Sequence, residues 1–413
     1  MSKPLEGIKV LDLTTFVAAP VCARMLSDLG AEVIKIEPPN GDPWRETSRN
    51  FNVSRFGDHM NPIFDIYNSG KKLISLNLKS TEGMEIFWKL VAQSDVFITN
   101  NRPDALKRLG ISYEDIKDRF PGLIYAMILG FGEAGPEAAN PGFDVTAFWA
   151  RSGFLRDMAL TDGEYQPLMP PSGAGDAVTG TNLCAEICAA LVRKLRIGKG
   201  DFVRSCLYQS GIFTFGTMQL ATQQPGGRQY PRSRTEGGSA GGVSGTYCCS
   251  DGEWLFMANG GASVFLPRIF NMIGRPELCE DKRYMDKDEA VKPENILGVF
   301  QLLQEAFLTK PRAEWLQLAK EFDVPVAKMN HFNENATDEQ ALANGFMEEM
   351  VYENGDKIMM PTMPLMMESV GKVKTQIAPR IGGDTEEVLF GLGYTQAEIN
   401  AMAEAGSIRI LKK

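Results

Sequence analysis

Short apolar runs of strand length alternate with helical patterns through the first half of the chain, and this alternation constrains the fold more than any other feature. Ile8 to Leu13 reads as a strand; Pro20 stands where a helix can open; Ala19 to Leu29 carries apolar residues at helical spacing, and Gly30 follows as a stop. Val33 to Ile36 is the next strand and completes a βαβ unit. The pattern recurs with a strand over 73–78, a helix from the Ser80 cap to about Gln93, and a strand at Val96 to Thr99. Helices near 103–109 and 113–119 precede a strand at 123–129. Asp176 to Leu195 is the longest helical pattern, and a strand at Phe202 to Leu207 follows it. Such a chain predicts an α/β fold with a Rossmann-like parallel sheet and helices on its faces.

At 413 residues the chain has room for two or three domains. Residues 223–245 are rich in Gly, Gln, Arg and Ser and read as linker and loop. Thr246 to Cys249 and Glu253 to Ala258 flank Ser250-Asp251-Gly252, a hairpin signal, and helical patterns follow at 263–273, 292–308 and 312–321. We therefore expect a smaller α+β domain at 225–325, with 1–224 and 326–413 together forming the large domain. Thr395-Gln-Ala-Glu398 is a capping box that opens a final helix to about Ala405.

Composition removes several functions. A formal charge of −9 argues against nucleic acid, whose binders carry a basic excess. Two histidines, His59 and His331, leave nothing for a multi-histidine zinc site, and no metal is expected. An acid, base or nucleophile would then be a carboxylate or a thiol. The seven cysteines include no CxxC and read as buried thiols of a reducing compartment. No apolar stretch of about 18 residues occurs, and no leader pattern opens the chain, so the expected location is cytoplasmic, away from membranes. The first strand is followed by Thr14-Thr-Phe-Val-Ala-Ala-Pro20, without the glycines of a dinucleotide fold, and Gly175 to Gly180 fails as a P-loop because Thr181 stands where Lys is required. Gly237-Gly238-Ser239-Ala-Gly241 matches a nucleophile elbow in letters, with His331 downstream, but lacks the preceding strand and following helix, and reads as a glycine loop.

Asp176 stands after the small-residue turn Ser172-Gly-Ala-Gly and before the long helix. A carboxylate there sits near the positive end of the helix dipole, which caps the helix and holds the group ionised. The glycine turn leaves room for a ligand, and an ionised carboxylate can attack an activated acyl group. The local pattern fits a plain helix cap as well as a nucleophile.

Over nearly its whole length the chain resembles the family III CoA-transferases, the formyl-CoA and carnitine CoA-transferase group (CaiB/BaiF). The motifs run in the family's order: Leu5-Glu-Gly-Ile-Lys-Val-Leu-Asp-Leu, Ala19-Pro20, Leu29-Gly-Ala-Glu-Val-Ile-Lys-Ile-Glu37, Asn68-Ser-Gly-Lys71-Lys72 and Leu76-Asn-Leu-Lys79. Asn100-Asn-Arg102-Pro103, Arg108-Leu-Gly-Ile-Ser-Tyr113, Gly130-Phe-Gly, Gly175-Asp176 and Gly383-Asp-Thr-Glu-Glu-Val-Leu389 follow. The resemblance implies Asp176 as the catalytic nucleophile, forming aspartyl anhydride and aspartyl-CoA intermediates. It implies an interlocked homodimer, and a mobile active-site loop at Gly237, Gly238, Gly241 and Gly242. Coenzyme A would be a substrate carrier rather than a permanent cofactor, held by the large domain through Val17, Ala18, Leu76, Lys79, Asn100, Arg102, Arg108 and Phe143. Lys79, Arg102 and Arg108 suit its phosphates. Some relatives carry Arg after the second strand, where this chain has Pro38-Pro39.

The family also contains acyl-CoA racemases, which move the α-proton with the His of a Gly-His-Asp motif; here the stretch is Gly142-Phe143-Asp144, and Phe cannot act as a base. A racemase, or a CoA-binding protein without activity, is the alternative to a transferase. Asn140 to Gly153 looks like the subgroup acting on 2-hydroxy acids and 2-enoyl-CoA in amino acid fermentation, with Phe143, Phe148 and Trp149 as candidate lining of an apolar acyl pocket.

Overall fold

Six strands that the sequence marks as apolar runs form one parallel sheet: β1 (Lys9–Leu13), β2 (Glu32–Glu37), β3 (Lys72–Leu76), β4 (Val96–Thr99), β5 (Ile124–Leu129) and β6 (Phe202–Cys206). The computed structural model describes residues 2–47, 60–158, 169–225, 227, 243–258 and 262–411. These strands lie in the order β3-β2-β1-β4-β5-β6, so the order reverses between β1 and β4. Both faces are covered, which is why β4 and β5 are buried at every position. The α/β class follows as the alternation predicts.

The described contacts divide the chain into two units, Met1–Phe154 with Pro170–Pro225 and Ala336–Lys413, and Leu155–Met169 with Gly226–Asn335. In the second unit β7 (Gly245–Cys248) and β8 (Trp254–Met257) form the expected hairpin, packed over Tyr247, Leu255, Phe270, Phe307 and Trp315. A strand absent from the sequence reading, β9 (Val326–Lys328), pairs with β8. That pairing carries the chain past residue 326 before it returns to the first unit at Ala336.

Back in the first unit, β10 (Met347–Val351) and β11 (Lys357–Pro361) form a hairpin that the sequence reading missed. Asn354-Gly355 between them is its turn signal, with Gly355 at φ +86°. The short β12 (Ile408–Arg409) then closes on β3, antiparallel. Asp384 accepts the Leu73 N–H at 2.7 Å and the Thr385 hydroxyl accepts that of Ser75 at 3.0 Å, so the last segment covers the β3 edge. No helix among the described residues is long and apolar enough to cross a membrane.

Helix Ala18–Asp28, which follows β1, packs directly on helix Ala174–Ile197. A Cβ on Gly180 would stand 2.2 Å from the Ala18 carbonyl oxygen, so only glycine allows this approach. The contact ties the end of β1 to the helix that carries Asp176.

Candidate active site

In open parallel sheets ligands sit beyond the carboxyl ends of the strands, where the strand order reverses. Here that place lies after β1 and β4. The loop after β1 is forced into an unusual shape, since Phe16 has φ +63°, a region that residues with a Cβ seldom adopt. Its neighbours hold it there. Asn100 accepts the Thr15 N–H at 3.0 Å and donates to the Thr15 carbonyl at 2.8 Å. Asp42 accepts the Phe16 N–H at 3.2 Å, and the Lys35 ammonium donates to the Thr14 carbonyl at 2.7 Å. Lys35 and Asp42 are both buried and paired at 3.0 Å, as are Lys71 and Asp12 at 2.9 Å. Backbone strain supported by so much surrounding structure is a mark of functional sites.

Asp176 lies in the first turn of helix Ala174–Ile197, half-buried, as its third residue. The expected capping role belongs elsewhere. Gly173 is the N-cap residue, at φ +86°, and has no side chain to offer. Asp144 supplies the cap from a different element, the π-helix Asp144–Ala150: its buried carboxylate accepts the Gly173 N–H at 2.8 Å and the Asp176 N–H at 3.1 Å. Gly175 does not leave room for a ligand, as its turn suggested. A Cβ there would stand 2.3 Å from the Phe148 ring and 2.4 Å from Asp144 Oδ1, so the glycine admits protein side chains.

The electrostatics differ from expectation for the same reason. The Gly173 and Asp176 amides, which would stabilise an Asp176 charge, are already bonded to Asp144. Burial and the Asp144 charge push the Asp176 carboxyl up to about 7. Burial also raises Asp144, while its amide bonds act the other way. Tyr67, on helix Pro62–Asn68, is pushed up to about 12 by burial and by the Asp176 and Asp144 charges, so it presents a neutral hydroxyl. That hydroxyl lies 3.5 Å from where a Cβ on Gly173 would stand.

Four aromatic rings gather at this end of the sheet. Phe16 meets Phe143 edge to face with centroids 5.6 Å apart, and meets Trp44 at 6.3 Å. Trp44 lies 6.5 Å from Tyr67. Phe143 precedes Asp144 and is 51% exposed, as a lining residue would be. Phe148 and Trp149, the other two candidate pocket residues, are core instead, packed with each other and with Phe215. Asp144, Tyr67, Trp44 and Phe16 escaped the sequence reading. For Asp144 the signal lies in the Gly142-Phe143-Asp144 stretch itself.

The positions expected to bind CoA have mixed environments. Val17 and Ala18 are buried where β1 passes into its helix, with Val17 as N-cap. Leu76 ends β3 with its side chain in the sheet core, so only its backbone is available. Asn100 spends its side-chain amide on Thr15 and shapes the loop. Lys79, Arg102 and Arg108 are exposed, and the first two follow the carboxyl ends of β3 and β4, about 14 Å apart at ordinary strand spacing. The glycines 237, 238, 241 and 242, and His59, lie outside the described residues.

Residues 5–385 match CoA-transferase family III. The (R)-2-hydroxy-4-methylpentanoate CoA-transferase of Clostridioides difficile is 39% identical over 98% of this chain and 99% of its own. The cinnamoyl-CoA:phenyllactate CoA-transferase of Clostridium sporogenes is 35% identical over 99% of this chain and 98% of its own. A solved CAIB/BAIF family protein from Brucella suis is similar with a TM-score of 0.78 at 25% identity, covering 95% of this chain and all of the other.

Proposed function

Since the chain belongs to CoA-transferase family III, we propose that it moves CoA from a 2-enoyl-CoA to a free 2-hydroxy acid through covalent intermediates on Asp176. The observation that carries this reading is a half-buried carboxyl at a helix start whose Gly173 and Asp176 amides are taken by Asp144, with a Phe at the position where a racemase needs a base. The names of both relatives contain a 2-hydroxy acid, and cinnamoyl-CoA is a 2-enoyl thioester. The exposed Phe143, packed on Phe16, which in turn meets Trp44, suits the apolar side chain of such an acid.

Each step follows from nucleophiles already present. The Asp176 carboxylate attacks the donor thioester carbonyl, the C–S bond breaks, and a mixed anhydride and CoA thiolate form. The thiolate attacks the Asp176 carbonyl, releasing the donor acid and leaving an aspartyl-CoA thioester. The acceptor carboxylate displaces the thiolate to give a second anhydride. The thiolate then takes the acceptor acyl group and restores Asp176. No external base is required. A high proton affinity makes Asp176 a better nucleophile once ionised, and its neutral neighbour Tyr67 keeps a proton to donate. Lys79 and Arg102 meet the CoA phosphates at the sheet's carboxyl edge. The protein works as a homodimer on hydroxy acids that come from amino acids.

Hydroxylamine tests the covalent path. Incubation with an acyl-CoA followed by hydroxylamine will modify or cleave the peptide containing Asp176, read by mass spectrometry, and Asp176→Asn will lose at least about a thousandfold in CoA exchange. An acceptor acid labelled with oxygen-18 will leave the label in Asp176 during turnover, because the bridging oxygen of the second anhydride stays with the enzyme. Exchange that continues with no adduct and no label at Asp176 would overturn the mechanism. A panel of branched, aromatic and straight-chain 2-hydroxy acids tests the substrate class.

A further inference from the structure

An acidic residue at the third position of a helix has a default occupation: in a capping box it reaches back and accepts the N–H of the N-cap residue. Two helices of this chain do so, with Asp115 bonded to the Ser112 amide at 2.9 Å and Glu398 to the Thr395 amide at 2.7 Å. Asp176 holds the same third position relative to Gly173. Its counterpart amide is taken, because the Gly173 N–H is bonded to Asp144, which arrives from 29 residues earlier in the chain. The second Asp144 oxygen takes the Asp176 N–H itself.

We propose that Asp144 is a positioning residue that pre-empts the capping box of this helix, so that the Asp176 carboxylate stays free of the backbone and turned toward the substrate. The inference rests on the reading of Asp176 as nucleophile. Three features of the geometry support it. Asp144 is buried and both of its oxygens are engaged, so the contact is part of the packed structure. Gly175 is the residue that lets it in, since any Cβ there would collide with Asp144 Oδ1 and Phe148. Phe148 stands one helical turn after Asp144 on the same π-helix and fills the space under the turn, which fixes the angle of approach.

The consequence for reactivity follows from charge. A carboxylate bonded to free helix amides is stabilised and a weaker nucleophile; one denied those amides and set beside another negative charge keeps its affinity for protons and for carbonyl carbon. The other ionisable groups on the described elements packed against the helix do not offset this. Arg24 and Asp28 are bonded to each other at 2.8 Å, and Arg204 is paired with Glu133 at 2.7 Å. Burial pushes the Tyr125 hydroxyl up, so it carries no charge. Tyr67 faces Asp176 from its own helix, also neutral. Asp144 is the charge that acts on Asp176.

The test uses the full-length protein and three variants, Asp144→Ala, Asp144→Asn and Asp176→Asn, with the rate of hydroxylamine-trappable acylation followed from pH 5 to pH 9. In Asp144→Ala the Asp176 carboxylate folds back onto the Gly173 amide. The acid-side limb of the profile should then move to lower pH by one unit or more, and kcat at high pH should fall about tenfold or more, with the KM for the acyl-CoA little changed. Asp144→Asn keeps the shape and one acceptor oxygen, so it should fold where alanine does not and show the same shift to a smaller extent. A merely structural role would lower the yield of active protein without moving the limb. Wild-type limb and kcat in the Asn variant overturn the proposal while leaving the nucleophile reading intact. Wild-type exchange in Asp176→Asn overturns both.

Discussion

Asp176 makes the site expensive to fold. Its proton affinity is higher in the folded protein than in the unfolded chain, where an Asp titrates near 3.8. Between about 4 and about 7 the folded state keeps a proton that the unfolded state has lost, so stability falls as pH rises through that window and levels off above it. Asp144 shifts in the same direction, through its burial. Asp176→Asn, which carries no charge at any pH, should therefore melt at a higher temperature than the wild type at pH 8. That advantage should shrink toward zero as the pH approaches 4. Equal melting temperatures at pH 8 would show that the site does not strain the ionised group. An inactive but more stable variant is the expected signature of a site that gives up stability for reactivity.

Among the elements, the helix that carries Asp176 is positioned by glycines with different duties. Gly173 supplies a left-handed N-cap, Gly175 admits Asp144 and Phe148, and Gly180 lets the Ala18 carbonyl approach at backbone distance. Gly180→Ala puts a methyl group against main chain that cannot rotate away. A loss of about 1–3 kcal/mol in urea unfolding is expected, with a fall in activity because the helix carries Asp176. Gly216, at the start of helix Gly216–Gln223, has nothing within 4 Å of its Cβ position, and Gly216→Ala should change stability by no more than about 0.5 kcal/mol. Elements of strong period were readable in advance: β1 to β6, the β7–β8 hairpin, and the long helix to within a few residues. β9 was not, because three residues with two of them exposed have no pattern of their own and exist as a strand only through β8. The π-helix Asp144–Ala150 was not either, since its shape comes from packing Phe148 against Gly175.

On the scale of the whole molecule, the exposed apolar side chains bear on assembly. Leu195 at 82%, Phe213 at 85% and Leu220 at 66% exposure stand on helices Ala174–Ile197, Leu207–Thr214 and Gly216–Gln223 of the first unit. Large exposed apolar side chains on neighbouring helices suit a covered surface. Sedimentation should give twice the chain mass, and Phe213→Glu with Leu220→Glu should shift it toward the single chain; a wild-type protein that sediments as one chain would rule the dimer out. Sequence by itself determined the class of sheet, the family, and Asp176 as the residue to watch. These depend on period, residue type and motif order, all of which are local or additive along the chain. Only the tertiary structure decided what surrounds Asp176. It placed Asp144 on the helix amides, sent Phe148 and Trp149 into the core, and turned Asn100 into a clamp on the Thr14–Phe16 loop. It also raised the proton affinity of Asp176, which the helix position alone would have lowered. The proton affinity of a carboxyl is set by burial and by which donors remain unclaimed, and those depend on segments brought together from distant parts of the chain.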